Sequence, residues 1–430
     1  MPAVSERTIK PRLPAAYWRL WWAAAVDNIG DGMFAVAVPL LALTITRDPR
    51  LISIISAATY LPWLLLSLPA GAIVDRHDRV ALMWCSQAVQ AAIVGAVAVL
   101  AAFGKVNIPA LAIMAFGLGA CEVVFGNAAQ AILPDIVAAP LLHRANANQY
   151  TITTVGQTFL GPPVGSLLFA VAIALPFGID AGSFALSAAL LSTLPRRRST
   201  PTQHPPIRTA ITDGMRWLTR HRLLRALALL LGVNTFCFQL GQVTLVLLGT
   251  ETLHLSVRGY GLLLTVAATG SVIGGLVNAR IVARMGALPA LLTALIANVV
   301  IFEGIGVSPD AVTLGILLAV NGFATTIWNV VTVSLRQEIV PSDLLGRVNS
   351  AYRLLGWGLI PLGAITGGLV AHELGLRAAY PLAGALRGVA LVAALPALIA
   401  AMKATGAHHA PEDTARHGAT VPTTPTQRPH

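Results

Sequence analysis

Charged residues are scarce in this 430-residue chain: they make up 11% of it, whereas hydrophobic residues make up 56%. A soluble domain carries about a quarter charged residues, so this chain has too few to cover a water-facing surface of its size. The apolar residues also come in long runs, and runs of about 18 or more are typical of membrane-spanning helices. The composition therefore predicts an integral membrane protein.

Motifs that carry chemistry are also missing. The three cysteines, Cys85, Cys121 and Cys237, fall inside apolar runs, which indicates neither a disulfide framework nor a metal site. Gly104-Lys105 lacks the spacing of a phosphate-binding loop, and no nucleophile or HExxH motif occurs. We therefore expect no enzyme activity, no cofactor and no metal, and an ion gradient in place of ATP as the energy source.

Twelve apolar segments are long enough to cross about 30 Å of hydrocarbon at a rise of about 1.5 Å per residue. No cleavable signal peptide is apparent, and the first segment is interpreted as a retained helix. The predicted spans are residues 18–45, 51–74, 80–104, 108–132, 149–171, 174–194, 226–249, 259–282, 287–306, 311–333, 349–371 and 379–401.

The net charge of +11 is distributed unequally between the two sides of these spans. Of the 29 Lys and Arg residues, 23 fall on one set of loops and tails and 5 on the other, with Arg387 left inside a span. Cytoplasmic loops carry the excess of Lys and Arg, so both termini are predicted to be cytoplasmic. This distribution favours anionic membrane lipids as partners and excludes nucleic acid.

The predicted spans divide six and six. We expect a cytoplasmic segment at 1–17, a first half at 18–194, a linker at 195–225, a second half at 226–402 and a disordered cytoplasmic tail at 403–430. The linker contains a basic amphipathic segment with Met215, Trp217 and Leu218, which predicts a helix on the inner membrane surface. It is interpreted as a tether, with a latch between the halves as the alternative.

An internal repeat relates the halves. A constant offset of 203 residues matches Asp135 to Glu338, Arg144 to Arg347, Asn146 to Asn349 and Gly165 to Gly368. Each block occupies the same loop and following span of its half. Because each half has an even number of spans, the two repeats are predicted to be parallel in topology.

The loop between spans 2 and 3 carries Gly71, Asp75, Arg76 and Arg79. It resembles the cytoplasmic motif of the major facilitator superfamily, although Asp78 replaces a glycine of that motif. The resemblance implies a twelve-helix fold of two six-helix repeats and a latch in which the aspartate lies near a helix N-terminus of the other half. Positive-inside loop charge alone is the alternative explanation.

Other segments resemble the drug:proton antiporters that include macrolide efflux proteins and the enterobactin exporter. The resemblance covers about 18–402 and rests on Gly30-Asp31, Glu122, the two repeat blocks, and residues 336–341 and 346–350. Span 5 also carries Gly161-Pro162-Pro163-Val164-Gly165, which partly resembles the antiporter motif. The prolines should bend this helix and the glycines allow close packing. The motif is explained either by helix bending and close packing alone or by a role in setting the direction of exchange.

Acidic residues inside the predicted spans are the candidate proton-coupling or cation-recognition groups. Charges in hydrocarbon are costly and face a partner or a water-filled cavity. Asp27 and Asp31 share a helix face, and Asp31 and Glu122 fall near the middle of their spans. Structural hydrogen bonding is the alternative for all three. Asp180 is expected near interfacial water, and Arg387 is expected to pair with an acid or to reach the interface.

Neutral polar and aromatic residues of both halves are candidates for the wall of a substrate cavity. Bonds between helices and core packing are the alternatives. The candidates are Asn127, Asn234, Phe238, Gln239, Gln242, Asn321 and Trp328.

Together these features predict a multi-pass secondary transporter of the cytoplasmic membrane that functions as a monomer. The expected activity is proton-coupled antiport that exports drugs or other bulky amphipathic small molecules by alternating access. Dedicated export of a siderophore or another metabolite is one alternative. A non-transporting sensor or scaffold that kept a transporter fold is an alternative of another class.

Overall fold

The computed structural model describes residues 13–195 and 207–408, and within these ranges the chain is helical apart from its short connections. The α-helices are α1 Ala15–Ile45, α2 Pro49–Arg76, α3 Arg79–Ala102, α4 Ile108–Ile136, α5 Leu142–Thr153, α6 Gly161–Val171, α7 Leu175–Ser192, α8 Ile207–Arg220, α9 Arg222–Leu247, α10 Val257–Met285, α11 Ala287–Gly306, α12 Ala311–Ile339, α13 Ser342–Gly358, α14 Ile360–Leu374 and α15 Ala379–His408. The predicted linker residues 196–206 and the tail after 408 lie outside the described residues, as do residues 1–12.

The described helices provide twelve segments long enough to cross a bilayer, which confirms the predicted all-helical fold class, while the cytoplasmic location of both termini stays a prediction. Eleven helices of the described chain are long and apolar enough to cross a membrane. The remaining crossing, fifth in order, is the continuous helical stretch 142–171, in which a π-helix at Thr154–Leu160 joins α5 to α6. The eleventh crossing is likewise divided, between α13 and α14. The fifth crossing of each half is therefore interrupted, and these are the two crossings that the repeat blocks match to each other.

The π-helix in the fifth crossing follows from the two prolines after it. Pro162 and Pro163 have no backbone N–H and their rings crowd the carbonyls one turn earlier, so α-helical bonding cannot continue through them. The chain widens instead, and the Gly161 N–H bonds to the carbonyl of Gly156, five residues back. The bend expected from these prolines takes the form of a wider turn.

Short polar connections begin several of the long helices. The side chains of Asp48, Asp78, Asn107, Ser256 and Asp310 each accept a hydrogen bond from a backbone N–H in the first turn of the following helix. Such N-caps satisfy donors that have no partner within the helix. Gly286, with a φ of 87°, turns the chain between α10 and α11, a conformation that glycine adopts without strain.

The apolar interior shows how the halves are joined. One core cluster contains residues of both halves, such as Leu40 of α1 and Leu240 of α9, and lies toward the predicted outer ends of the helices. Toward the other end there are two clusters, one around Tyr17 and Met83 in the first half and one around Leu291 in the second. The halves thus share a core at one end and have separate cores at the other.

The amphipathic segment of the linker forms α8. Its Leu218 is buried with Leu224 of α9 and Tyr352 of α13, and Met215 and Trp217 pack against the same cluster. The apolar face of α8 is therefore covered by the second half, and its role as tether or latch remains a prediction.

Candidate functional site

Asp27, one of the two acids of α1, bonds to a side chain of α3. Asp27 is 4% exposed, and one of its carboxylate oxygens, Oδ2, accepts a hydrogen bond of 3.1 Å from Nε2 of Gln87. Its other oxygen is buried and has no hydrogen-bond partner in the described part of the chain. Asp31, one turn further along α1, is half-buried. A buried carboxyl oxygen without a donor is costly if the group is charged.

Glu122 of α4 belongs to the same cluster. Its Oε2 accepts a hydrogen bond of 3.4 Å from Nε2 of Gln90. Gln87 and Gln90 are three residues apart and share one face of α3, so this helix offers one amide to α1 and another to α4. Both glutamines are almost completely buried, at 0% and 2% exposure.

Asp180 joins these acids, contrary to the expectation that it reaches interfacial water. It is 0% exposed and accepts a bond of 3.1 Å from the hydroxyl of Ser183 within α7. The side chains of Asp180 and Ser183 face Gly30 of α1, where any Cβ would collide with them. Because Gly30 has no side chain, α1 and α7 approach closely and enclose the carboxyl group.

The cluster holds four carboxyl groups in one half of the molecule. Asp27 and Asp31 are one turn apart on α1, Glu122 bonds a glutamine one turn from the one that bonds Asp27, and Asp180 faces Gly30, next to Asp31. Carboxyl groups placed in this way repel one another when more than one is charged. Among the described residues, Asp27, Glu122 and Asp180 accept hydrogen bonds from uncharged amide and hydroxyl groups. Repulsion of this kind is strong in a low-dielectric interior.

Sequence reasoning missed Gln87, Gln90 and Asp180 as members of this site. The signal was present, because three buried amides and hydroxyls, Ser86, Gln87 and Gln90, stand close together in the otherwise apolar span 3. Polar side chains inside a span face other helices and not lipid. Which acid each glutamine bonds depends on helix packing, and the sequence alone does not encode it.

The antiporter-like motif of α6 lies between α1 and the second half. Gly161 and Gly165 are buried against Gly32 and Met33 of α1, and a Cβ on Gly165 would lie 2.7 Å from the Met33 Cα. Pro162 is also buried. On its other side α6 meets α10, where the Ser166 side chain fills the space left by Gly261. The motif thus lies where the halves meet, and any role in exchange direction remains a proposal.

The loop between the second and third crossings forms an ion pair within the first half. Arg79, the first residue of α3, donates from Nη1 to Oδ2 of Asp135 at 2.6 Å and to the Ala131 carbonyl at 3.0 Å. Arg76 is exposed in the last turn of α2. Gly71 and Asp75 lie in that same stretch of helix, but the surroundings of these two residues lie outside the described part of the structure. The latch therefore stays a prediction.

Only some of the candidate cavity residues come together. Phe238, Gln242 and Asn321 line one cavity of about 20 Å³ inside the second half, bordered by Phe302 and Tyr380. A space of that size holds about one water molecule, so it cannot hold a bulky substrate. Asn321 also donates to Oδ1 of Asn298 at 2.9 Å.

The other candidates have different surroundings. Trp328 is 3% exposed in the core of the second half, and Asn127 bonds the Val123 carbonyl of its own helix at 2.7 Å. The carbonyl of Asn234 accepts a bond of 3.1 Å from Arg387.

Arg387 neither pairs with an acid in the described chain nor reaches the interface. It is 5% exposed, and its guanidinium lies 3.8 Å from the centroid of the Phe302 ring. The ring face and the Asn234 carbonyl replace part of the lost hydration of the guanidinium.

Polar contacts join the halves toward the predicted outer end. Gln239 donates from Nε2 to the hydroxyl of Ser56 at 2.7 Å. Arg47 and Glu251 form an ion pair of 3.3 Å between the halves.

A second ion cluster lies beside this pair, around the N-cap residue Asp48. Nδ1 of His372, from the second half, lies 3.7 Å from Asp48 Oδ1. The Arg50 guanidinium, which donates to Asp48 Oδ2 at 2.8 Å, holds the pKa of the Asp48 carboxyl below its usual value, and His372 contributes in the same direction.

Twelve crossings in two repeats, joined at one end, with buried acids in one half, define a membrane transporter of the major facilitator class. A family model described as transmembrane secretion effector matches residues 8–419, and the chain belongs to this family of the major facilitator superfamily. It is therefore a multi-pass transporter of the cell membrane, not an enzyme.

Known relatives support this assignment. The chain is 30% identical over 377 residues to the multidrug efflux pump Tap of Mycolicibacterium fortuitum, covering 84% of this chain and 90% of that protein. It is 22% identical over 382 residues to macrolide efflux protein A of Streptococcus pyogenes, covering 86% and 93%. These relatives confirm the resemblance to the drug efflux group.

A solved structure shares the fold. A bacterial homologue of the iron transporter ferroportin in an inward-facing state superposes with a TM-score of 0.71 at 17% identity, covering 90% of this chain and 99% of that one.

Proposed function

We propose that this transporter exports bulky amphipathic small molecules, drugs among them, in exchange for protons. The observation that carries the proposal is the cluster of four carboxyl groups in the first half, three of which accept hydrogen bonds from neutral partners in the described chain. A proton held among these acids relieves their repulsion, and its release when water reaches them restores the charge. The efflux pumps to which the chain is similar support the direction of transport.

The shared core at one end and the separate cores at the other support alternating access. With both termini cytoplasmic, the separate cores lie on the cytoplasmic side, so the two halves share no apolar core where an exported substrate enters. Rocking of the halves would then part the outer contacts, among them Gln239 with Ser56. Protonation biases this equilibrium only through its different free energy in the two states.

Within the cluster we assign proton coupling or cation recognition to Asp31, Glu122 and Asp27. Asp31 and Glu122 are half-buried, so they are the members that water or a cationic substrate reaches with the smallest change of structure. Asp27, more deeply buried and bonded to Gln87, ranks third.

Purified protein in proteoliposomes with an imposed pH gradient tests the proposal. Substrate-dependent proton movement is expected for the unmodified chain and is expected to be abolished in Asp31→Asn and in Glu122→Gln, with expression unchanged. Undiminished proton-driven transport in both variants would contradict the assignment. Substrate binding without flux would favour a sensor, and a panel of antibiotics, dyes and siderophores separates broad drug export from dedicated metabolite export.

A further inference from the structure

An aromatic stack crosses from one half to the other. The indole of Trp63 in α2 lies against the indole of Trp357 in α13, with ring centroids 4.5 Å apart and ring planes inclined by 27°. Tyr60, one turn before Trp63 on α2, lies beside the Trp357 indole, with ring centroids 6.4 Å apart. Offset stacking at such distances is favourable for aromatic pairs, so these rings form a direct contact between the two moving halves.

The stack lies where the shared core gives way to the separate cores. Trp63 is about 21 Å along α2 from its predicted outer end, past the midpoint of a bilayer core of about 30 Å. The shared core lies on one side of this level and the two separate cores on the other. Trp357 is 39% exposed, so part of its ring can be reached by a ligand.

An acid is close to this stack. A Cβ on Gly126 of α4 would lie 3.7 Å from Cη2 of Trp63, so the edge of that indole reaches α4 at this point. Glu122 is one turn earlier on the same face of α4, and residues so spaced have Cβ atoms about 5–6 Å apart. A ring held by the tryptophans would therefore bring a positively charged substituent toward Glu122.

We propose that Trp63 and Trp357 form an aromatic clamp that admits a planar aromatic group of the substrate between them. The clamp rests on the proposed export function and narrows its substrate class to amphipathic molecules with a flat ring system. Two rings that sandwich a third are about 7–8 Å apart, twice the optimal contact distance between carbon atoms. The indoles are closer than that, and because they belong to opposite halves, insertion separates the halves at this level.

Equilibrium binding to the purified full chain in detergent, without a pH gradient, tests the clamp. The probes are ethidium, which is planar and cationic, and tetrabutylammonium, which has the same charge and no ring. Trp357→Ala and Trp63→Ala are each expected to weaken ethidium binding about tenfold, while the affinity for tetrabutylammonium changes less than about twofold. The double variant is expected to lose little more than either single one, because one wall alone cannot form the sandwich.

Trp22→Phe, at a 57% exposed position on α1, is the matched control for loss of an indole. Trp357→Phe keeps a ring and is expected to retain most ethidium affinity, which gives a readout if the alanine variants fold poorly. An equal loss for both probes would show an unselective contact between the halves and overturn the clamp. Unchanged ethidium binding in the alanine variants, or no ethidium binding by the unmodified chain, would overturn it as well. If proton-driven transport fails while the tryptophan-dependent binding of ethidium is intact, the result counts against the proposed export function and not against the clamp.

Discussion

Gln87 of α3 donates a hydrogen bond of 3.1 Å to Asp27 of α1, and both side chains are buried inside the first half. Gln90, three residues later, makes the corresponding bond of 3.4 Å to Glu122, which is only half-buried. One helix therefore supports two members of the acidic cluster, but with bonds of different length in surroundings of different exposure.

Gln87→Leu is expected to lower the thermal stability of the protein in detergent. It leaves a buried carboxyl without its donor, which costs about 1–3 kcal/mol. Gln90→Leu is the matched comparison and should cost less, because its bond is longer and Glu122 is more exposed. The double variant Asp27→Leu/Gln87→Leu should recover most of the loss. Equal Tm values for the two single variants would contradict this account.

Gly165→Ala is expected to destabilise the contact between α6 and α1. The added Cβ would lie 2.7 Å from backbone atoms of Met33, which cannot rotate away, so a cost of about 1–3 kcal/mol follows. Gly178→Ala on α7 is the control, since nothing lies within 4 Å of its Cβ position, and alanine favours helix there. Thermal unfolding of both variants in one detergent is the measurement. A Gly165→Ala protein as stable as the control would refute the close packing.

The ion pair between Arg47 and Glu251 is expected to make a small, salt-sensitive contribution to contact between the halves. Their side chains are 76% and 34% exposed, and exposed pairs contribute about 0–1 kcal/mol. Arg47→Glu should lower the Tm slightly, and Arg47→Glu/Glu251→Arg should restore it. In about 1 M salt, where the Debye length is about 3 Å, the differences should vanish. A double variant less stable than the single one would exclude the pairing.

Asp48 is expected to contribute to stability over the whole neutral range. Its pKa in the folded protein is lowered by Arg50, so its contribution is complete above the unfolded pKa of about 3.9 and disappears as pH falls through the folded pKa. The Tm difference between Asp48→Asn and its parent should therefore be constant from about pH 6 to 8 and shrink below about pH 4. Measuring it in a His372→Gln chain prevents the nearby imidazole from titrating. A difference that shrinks between pH 8 and 6 would contradict the prediction.

Much of the fold was predictable because membrane solvation acts on each span separately. Backbone groups in lipid must be bonded within the segment, so a long apolar run can only be a helix, and twelve such runs predicted twelve crossings. The repeat block at offset 203 likewise predicted that the fifth and eleventh crossings correspond, and both are interrupted. Pro162 and Pro163 predicted a disturbed helix, but not that it would widen into a π-helix.

The candidate site was predictable only in part. Asp27, Asp31 and Glu122 were evident because a carboxyl group in an apolar run is conspicuous. Gln87 and Gln90 became members of the site only through contacts between helices, because an amide in a span does not reveal its partner. Asp180 was equally conspicuous, but its place beside Gly30 of α1 depends on the packing of α1 against α7. The surroundings of the cavity candidates in the second half were not predictable either. Trp328 is buried in the core, whereas Gln239 donates a hydrogen bond to Ser56.

The sequence by itself determined that this chain crosses a membrane twelve times as two related halves, because hydropathy and loop charge are local properties. The tertiary structure decided which polar groups meet. Gly30 lets Asp180 approach α1, the edge of the Trp63 indole reaches the helix of Glu122 at Gly126, and Trp63 contacts Trp357 in the other half. Each of these contacts depends on the distance between two helices far apart in sequence. That distance is set by the side chains that the two helices carry at the contact, and by the glycines that carry none.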